Sequence, residues 1–194
     1  MQNIRRIVFD IETSNTFQEV GSSDPAKLDL ALVGIYDSLT DTYDSFLQNE
    51  LPRLWEVLEK ADLIIGFNSE HFDLPLLNKY YPGDLSKISH LDLLTKVHEV
   101  LGHRVRLQSL AEGTLKAKKG GSGLESIVWW KNGEIEKVRK YCLKDVEITK
   151  QIFDYAMANN SLKYNDFGRT REFKIDTTQW LKTEETTMTH TLPW

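Results

Sequence analysis

Two acidic residues interrupt an apolar stretch near the start of the chain. Asp10 and Glu12 stand within the run Arg6-Ile7-Val8-Phe9-Asp10-Ile11-Glu12-Thr13. Side chains alternate along a strand, so both carboxylates project from the same face of an otherwise buried strand. Two buried carboxylates repel each other, and the pKa of at least one rises sharply unless a cation lies between them. Oxygen ligands suit magnesium and manganese, so the pair predicts half of a divalent-metal site.

Composition limits what the rest of the chain can be. The 194 residues, 40% of them apolar, are enough for one core and predict a single domain. The net charge of -5 does not exclude a nuclease, because an acidic metal cluster accounts for part of it. Cys142 is the only cysteine, which excludes an intrachain disulfide and a cysteine-built zinc site. No apolar stretch approaches the roughly 20 residues that span a bilayer, so we expect a cytoplasmic protein without a membrane partner.

Strands dominate the first part of the chain and helices the second. Alternation and turn residues predict strands over 6–13, 30–36, 42–47 and 62–68. Helical periodicity predicts helices from Pro52 onward and over 75–81, 93–101 and 133–158. Asp92 is expected to cap the third of these helices, and Gly102 to end it. This order of elements predicts an α/β fold with a mixed sheet.

A second group of polar residues follows the strand predicted over 62–68. Asn68 and Asp73 come where ligands gather in open α/β sheets, beyond the carboxyl ends of the strands. Pro75 suits the first turn of a helix, which makes Asp73 a candidate N-cap. Capping and metal binding are compatible, since a carboxylate has two oxygens that accept independently.

A third group lies in the long helix. Its apolar stripe has spacings of three and four residues and contains Val138, Tyr141, Asp145, Ile148, Ile152 and Tyr155. Asp145 is the exception on this stripe, so it lies either at a solvated rim or beside a buried partner. Tyr141 is one turn earlier on the same side, so the phenol and the carboxylate are able to converge on one volume.

The three groups together resemble the exonuclease motifs of the DEDD superfamily. The D-x-E, the N-x-x-x-F-D and the Y-x-x-x-D occur in the family's order, and the tyrosine marks the DEDDy branch. The chain is most similar to the proofreading exonuclease domains of B-family DNA polymerases and their stand-alone relatives, with ribonuclease D more distant. The resemblance covers residues 5–158. It implies a ribonuclease H-like three-layer fold with a central mixed five-stranded sheet flanked by helices.

The resemblance also implies an activity and a cofactor. It implies a 3'-5' exonuclease that hydrolyses terminal phosphodiester bonds of single-stranded nucleic acid and releases nucleoside 5'-monophosphates, with DNA favoured as the substrate over RNA. Two divalent ions, Mg²⁺ or Mn²⁺, serve this reaction in the family. By resemblance, Asp10, Glu12 and Asp145 hold one ion, Asp10 bridges to a second, and Asp73 holds that second ion through water. Tyr141 orients the attacking water.

Substrate contacts are expected in two places. The resemblance puts Asn68 and the backbone from Ile11 to Thr13 near the terminal nucleotide. Five basic residues oppose one acidic residue over 103–119, and the glycine-rich residues 120–123 follow. The basic residues that we expect to close on the backbone of a single strand are Lys116, Lys118 and Lys119. A solvated basic surface is the alternative.

The remaining expectations concern organisation and partners. We expect an exonuclease domain over residues 1–160, a hairpin extension over 161–182 with Gly168 at its turn, and a mobile tail over 183–194. Trp129 and Trp130 offer aromatic surface that could stack a base, but adjacent residues on a strand face opposite ways, so we favour core packing for at least one. A polymerase or helicase partner would deliver the substrate, unless the enzyme acts on free ends. The alternative functions are a non-catalytic nucleic-acid-binding or scaffold module and, less favoured, an endonuclease.

Overall fold

A five-stranded mixed sheet forms the centre of the computed structural model, which describes residues 4–117 and 123–182. The strands, in the order β3-β2-β1-β4-β5 across the sheet, are β1 (Arg6–Thr13), β2 (Leu30–Asp37), β3 (Thr42–Leu47), β4 (Leu63–Gly66) and β5 (His90–Asp92). β1 pairs antiparallel with β2 and parallel with β4, and β4 pairs parallel with β5. β1 is therefore the central strand.

Helices cover both faces of this sheet. They are α1 (Phe17–Val20), α2 (Leu51–Leu58), α3 (Asp73–Asn78), α4 (Leu93–Leu101), α5 (Leu107–Leu110), α6 (Gly123–Lys131) and α7 (Ile135–Asn159). Short 3-10 turns occupy Pro25–Lys27, Gln48–Glu50 and Leu85–Lys87, and a π-helical turn occupies Ala111–Leu115. The three layers confirm the predicted α/β, ribonuclease H-like fold.

The alternation of β1 divides its side chains between two apolar cores. Ile7 and Phe9 pack with residues of α2 and α3 on one face. Val8 packs with residues of α7 on the other face. Because the strand period is two, Asp10 and Glu12 share the face of Val8 and are directed toward α7. β4 pairs with β1 only at Arg6–Val8. The carboxyl end of β1, which begins with Asp10, therefore extends beyond its pairing with β4.

Several elements differ from the expectations. β5 was not predicted, since three residues are too few for an alternation signal. The loop over residues 14–27 contains α1, which begins with a capping box between Thr16 and Glu19. Trp129 and Trp130 lie in the helix α6, so treating them as strand residues was wrong. Both are half-buried, and they pack against Leu32, Val138 and Cys142.

The predicted C-terminal hairpin consists of β6 (Ser161–Asp166) and β7 (Arg169–Lys174). Phe167 and Gly168 form its turn and both have positive φ, which is the conformation that tight two-residue hairpin turns require. Leu162 and Tyr164 of β6 pack into the same core as α7. The division into a domain and an extension stays a prediction, and residues 183–194 lie outside the described residues. Among the described helices, none is long and apolar enough to cross a membrane.

Candidate functional site

The acidic pair of β1 lies at the base of a cavity. Asp10 is partly exposed and Glu12 is buried, with 6% of its surface accessible. Cys142 of α7 lies beneath the pair, and its Sγ is 3.5 Å from Asp10 Oδ2 and 3.4 Å from the Asp10 carbonyl oxygen. One ligand atom from each of Asp10, Glu12 and Cys142 lies within 4.8 Å of the other two, which is close enough for a shared cation.

The helix α7 brings Tyr141 and Asp145 to the same cavity. The Tyr141 hydroxyl lies beside the Asp145 carboxylate and lowers the pKa of that group, and the Tyr141 ring packs edge-on against Trp129, with centroids 6.1 Å apart. Gly34 of β2 makes this placement of α7 possible. A Cβ at Gly34 would lie 2.9 Å from Cys142 Sγ, so any side chain there would push the helix away from the sheet.

Asp73 approaches the acidic pair from a third element. The structure contradicts the expectation that Asp73 caps a helix, because Phe72 occupies the cap position and Asp73 is the first residue of α3. Its backbone is already helical, and its carboxylate is turned toward β1 instead. There the backbone N–H groups of Ile11 and of Asp73 itself lower the pKa of the Asp73 carboxyl. Asp73 is 4% exposed and does not line the cavity, but its charge acts on both Asp10 and Glu12.

The electrostatics of the cluster favour a bound cation. Burial is the main cause that raises the pKa of Glu12 to about 8, of Asp73 to about 8 and of Asp145 to about 6. Burial and the neighbouring carboxylates raise the pKa of Asp10 well above its usual range. The same causes raise the pKa of the Tyr141 phenol, which therefore stays protonated. A hard divalent cation would remove the repulsion, and four carboxylates are the ligands that it prefers.

The cavity above the acids has a volume of about 410 Å³ and two kinds of wall. Its polar end is formed by Asp10, Glu12, Tyr141 and Asp145. Its apolar wall is formed by Ile11, Phe17, Leu28, Phe72, Leu124 and Ile127. Phe17 and Phe72 meet edge-to-face, with ring centroids 6.0 Å apart and planes at 85°. Thr13 also lines the cavity, so both backbone positions expected near a substrate are present in its wall.

Other predicted substrate residues lie elsewhere. Asn68 has a left-handed backbone, and its side-chain oxygen accepts a hydrogen bond from Arg104. It lines a neighbouring groove with Arg104 and His71 instead of the cavity that contains the acids. Lys116 is exposed and does not line the cavity. Lys118 and Lys119 lie outside the described residues.

Sequence reasoning assigned Asp92 only a capping role. Its Oδ1 accepts the N–H groups of Asn68 at 2.8 Å and Leu94 at 2.8 Å, and its Oδ2 accepts the N–H of Glu70 at 3.1 Å. Asp92 is 2% exposed, so it ties the turn that precedes Asp73 to the start of α4. The sequence carried no sign of the contacts to Asn68 and Glu70. Phe17 was missed as well, because it lies in a stretch that the sequence indicated to be a loop.

Comparisons with known proteins agree with this fold. The fold is similar to that of the family B DNA polymerase from the hyperthermophilic archaeon Pyrobaculum calidifontis, with a TM-score of 0.61 and 19% sequence identity. The match covers 79% of this chain but only 24% of the polymerase. A search of curated protein sequences found no significant match. The family model of the RNase H superfamily matches residues 7–157, most of the chain, and the protein therefore belongs to the RNase H superfamily.

Proposed function

We propose that this protein is a metal-dependent 3'-5' exonuclease that acts on single-stranded nucleic acid, DNA more readily than RNA, and releases nucleoside 5'-monophosphates. The observation that carries the proposal is the cavity that Asp10, Glu12, Tyr141 and Asp145 line together, with the charge of Asp73 acting on Asp10 and Glu12. Asp10 and Glu12 come from β1, Asp73 from α3, and Tyr141 and Asp145 from α7. Membership of the RNase H superfamily and the likeness to a DNA polymerase agree with it.

The four carboxylates would hold two divalent ions, Mg²⁺ or Mn²⁺. Their fit to such ions rests on the electrostatics of the cluster, since burial raises the pKa of each acid and the neighbouring carboxylates add to this at Asp10 and Glu12. When bound, a pair of ions supplies positive charge at both the attacking and the leaving oxygen of a phosphoryl displacement, and makes water more acidic.

Tyr141 would position the attacking water. Its raised pKa keeps the hydroxyl protonated, so the phenol donates a hydrogen bond at neutral pH. The Asp145 carboxylate lies beside the phenol, and Trp129 holds the ring through an edge contact. A fixed donor of this kind orients a nucleophile without taking its proton.

The apolar wall of the cavity supports a substrate with an unpaired terminal base. A volume of about 410 Å³ is in the range of small-molecule sites and suits one nucleoside better than a paired end. Phe17 and Phe72 offer aromatic surface for base stacking, which tolerates any base. The preference for DNA rests on the polymerase likeness, as does the proposal that a polymerase or helicase delivers the substrate.

The test is incubation of purified protein with 5'-labelled single-stranded DNA and RNA of the same sequence, in Mg²⁺ or Mn²⁺, beside an Asp10→Ala control. We expect a ladder that shortens from the 3' end, faster on DNA, and absent in the control. Binding without cleavage in both metals would reject the enzyme and favour a non-catalytic binding module. Internal cleavage before end shortening would favour an endonuclease.

A further inference from the structure

One buried hydroxyl among the residues that the structure describes lacks a hydrogen-bond partner. Ser126 of α6 has no accessible surface, and its Oγ is the single buried side-chain nitrogen or oxygen that makes no hydrogen bond among the described residues. A buried hydroxyl without a partner loses its hydrogen bonds to water and gains none in return. Such groups are rare in folded proteins, and each one calls for a physical explanation.

The surroundings of Ser126 point to Glu12. The helix α6 packs against β1, and its residues Gly123, Leu124 and Ile127 line the same cavity as Glu12. The Ser126 hydroxyl faces the Glu12 carboxylate and lowers the pKa of that group, against the burial and like charges that raise it. The two groups are therefore neighbours, although the contact falls short of a fully formed hydrogen bond.

We propose that Ser126 is a positioning residue that orients the Glu12 carboxylate toward the divalent cation. A carboxylate that gives one oxygen to a cation keeps a second oxygen free to accept from a donor. The Ser126 hydroxyl is a buried donor beside Glu12 that makes no other hydrogen bond within the described part of the chain, so it is free to donate to the second oxygen. Partners that hydrogen-bond a metal ligand in this way fix its orientation and raise metal affinity. The inference rests on the proposed metal-dependent function.

The decisive measurement is Mn²⁺ affinity, followed by the electron paramagnetic resonance signal of free Mn²⁺ without any substrate. Ser126→Ala is expected to weaken binding by about tenfold or more, the usual effect of removing such a partner. Its thermal midpoint in EDTA is expected to stay equal or rise, because the change removes an unpaired buried hydroxyl. If Ser126 had only a packing role, its loss would instead lower the thermal midpoint and leave Mn²⁺ affinity unchanged.

Ser161→Ala provides the matched control. Ser161 is 4% exposed and lies on β6, and it does not line the cavity. This variant is expected to bind Mn²⁺ like the wild type. Ser126→Cys keeps a side chain of similar size with a weaker donor, so its affinity is expected to fall between those of wild type and Ser126→Ala. It carries the test if the alanine variant does not fold.

The outcomes separate this inference from the proposed function. If the wild type binds Mn²⁺ and the Ser126 variants bind it equally well, the positioning role is wrong and the metal centre stands. Lower stability with unchanged Mn²⁺ affinity overturns the inference in the same way. If the wild type binds no Mn²⁺, the proposed metal centre fails and this inference fails with it.

Discussion

Without bound metal, the protein is expected to become less stable as the pH rises above neutral. Glu12 and Asp73 have ordinary pKa values of 4.5 and 3.8, and in the folded protein burial raises the pKa of each to about 8. Between these limits the folded state holds a proton on each group that the unfolded state has released. The stability that these protons give is therefore complete below the pKa values of the unfolded state. It is lost as the pH rises through the pKa values of the folded state.

The size of the effect follows from these values. A fully retained proton changes the free energy of unfolding by about 1.4 kcal/mol per pH unit. Between about pH 7 and about pH 8, each group in the folded protein keeps roughly three-quarters of a proton on average. The two groups together therefore lower the free energy of unfolding by about 2 kcal/mol over this range. Asp10, whose pKa is also raised, acts in the same direction. His90 has a lowered pKa and stays neutral throughout this range. For a chain of this size the loss corresponds to a fall of roughly 4 to 8 °C in thermal midpoint.

The assay is thermal unfolding followed by circular dichroism at the two pH values, in excess EDTA and in saturating Mg²⁺. In EDTA the midpoint is expected to fall by the amount above, and in Mg²⁺ to change much less, because the cation replaces the protons. The double variant Glu12→Gln, Asp73→Asn should lose most of the pH dependence. A midpoint in EDTA that is constant or rises between the two pH values would refute the placement of these acids.

Three further predictions test the architecture of the site. Asp145→Asn should abolish hydrolysis, measured by nucleotide release. Tyr141→Phe should reduce hydrolysis by about 10²-fold or more and leave Mn²⁺ affinity little changed. Full activity in the phenylalanine variant would reject the role of the phenol. Gly34→Ala brings a methyl group to 2.9 Å from Cys142 Sγ and should lower the unfolding free energy in urea by about 1 to 3 kcal/mol; unchanged stability would mean that α7 shifts freely. Asp92→Ala removes the acceptor of three backbone N–H groups and should lower the unfolding free energy in urea by about 3 kcal/mol. Unchanged stability would contradict the anchoring role of Asp92.

Local signals predicted much of the fold because they depend on neighbours in the chain. The cap at Asp92 and the stop at Gly102 gave the bounds of α4 as the structure has them. Strand alternation alone put Asp10 and Glu12 on one face of β1, and helical periodicity put Tyr141 and Asp145 on one side of α7. These relationships are fixed by backbone geometry, so a sequence is enough to reveal them.

The remaining features depend on residues that are distant in the chain. Asp73 was expected to cap a helix, but the free end of β1 offers it the N–H of Ile11 instead. Asn68 follows the strand that leads to the site, yet Arg104, 36 residues later, takes its side chain. The unpaired hydroxyl of Ser126 depends on how α6 rests on β1. Propensity and spacing carry no information about such contacts.

The acidic cluster also bears on the choice between an enzyme and a binding module. Each buried carboxyl with a raised pKa lowers the stability of the metal-free protein near neutral pH, and β1, α3 and α7 each contribute at least one. The fold concentrates these acids instead of separating them, through the close approach of α7 at Gly34 and the anchoring of the α3 turn by Asp92. A module that only binds nucleic acid gains nothing from concentrated negative charge, which repels phosphates. The two divalent ions proposed for this site would balance the four carboxylates, so a cluster that repels phosphate without metal would be able to bind a terminal phosphate through the ions.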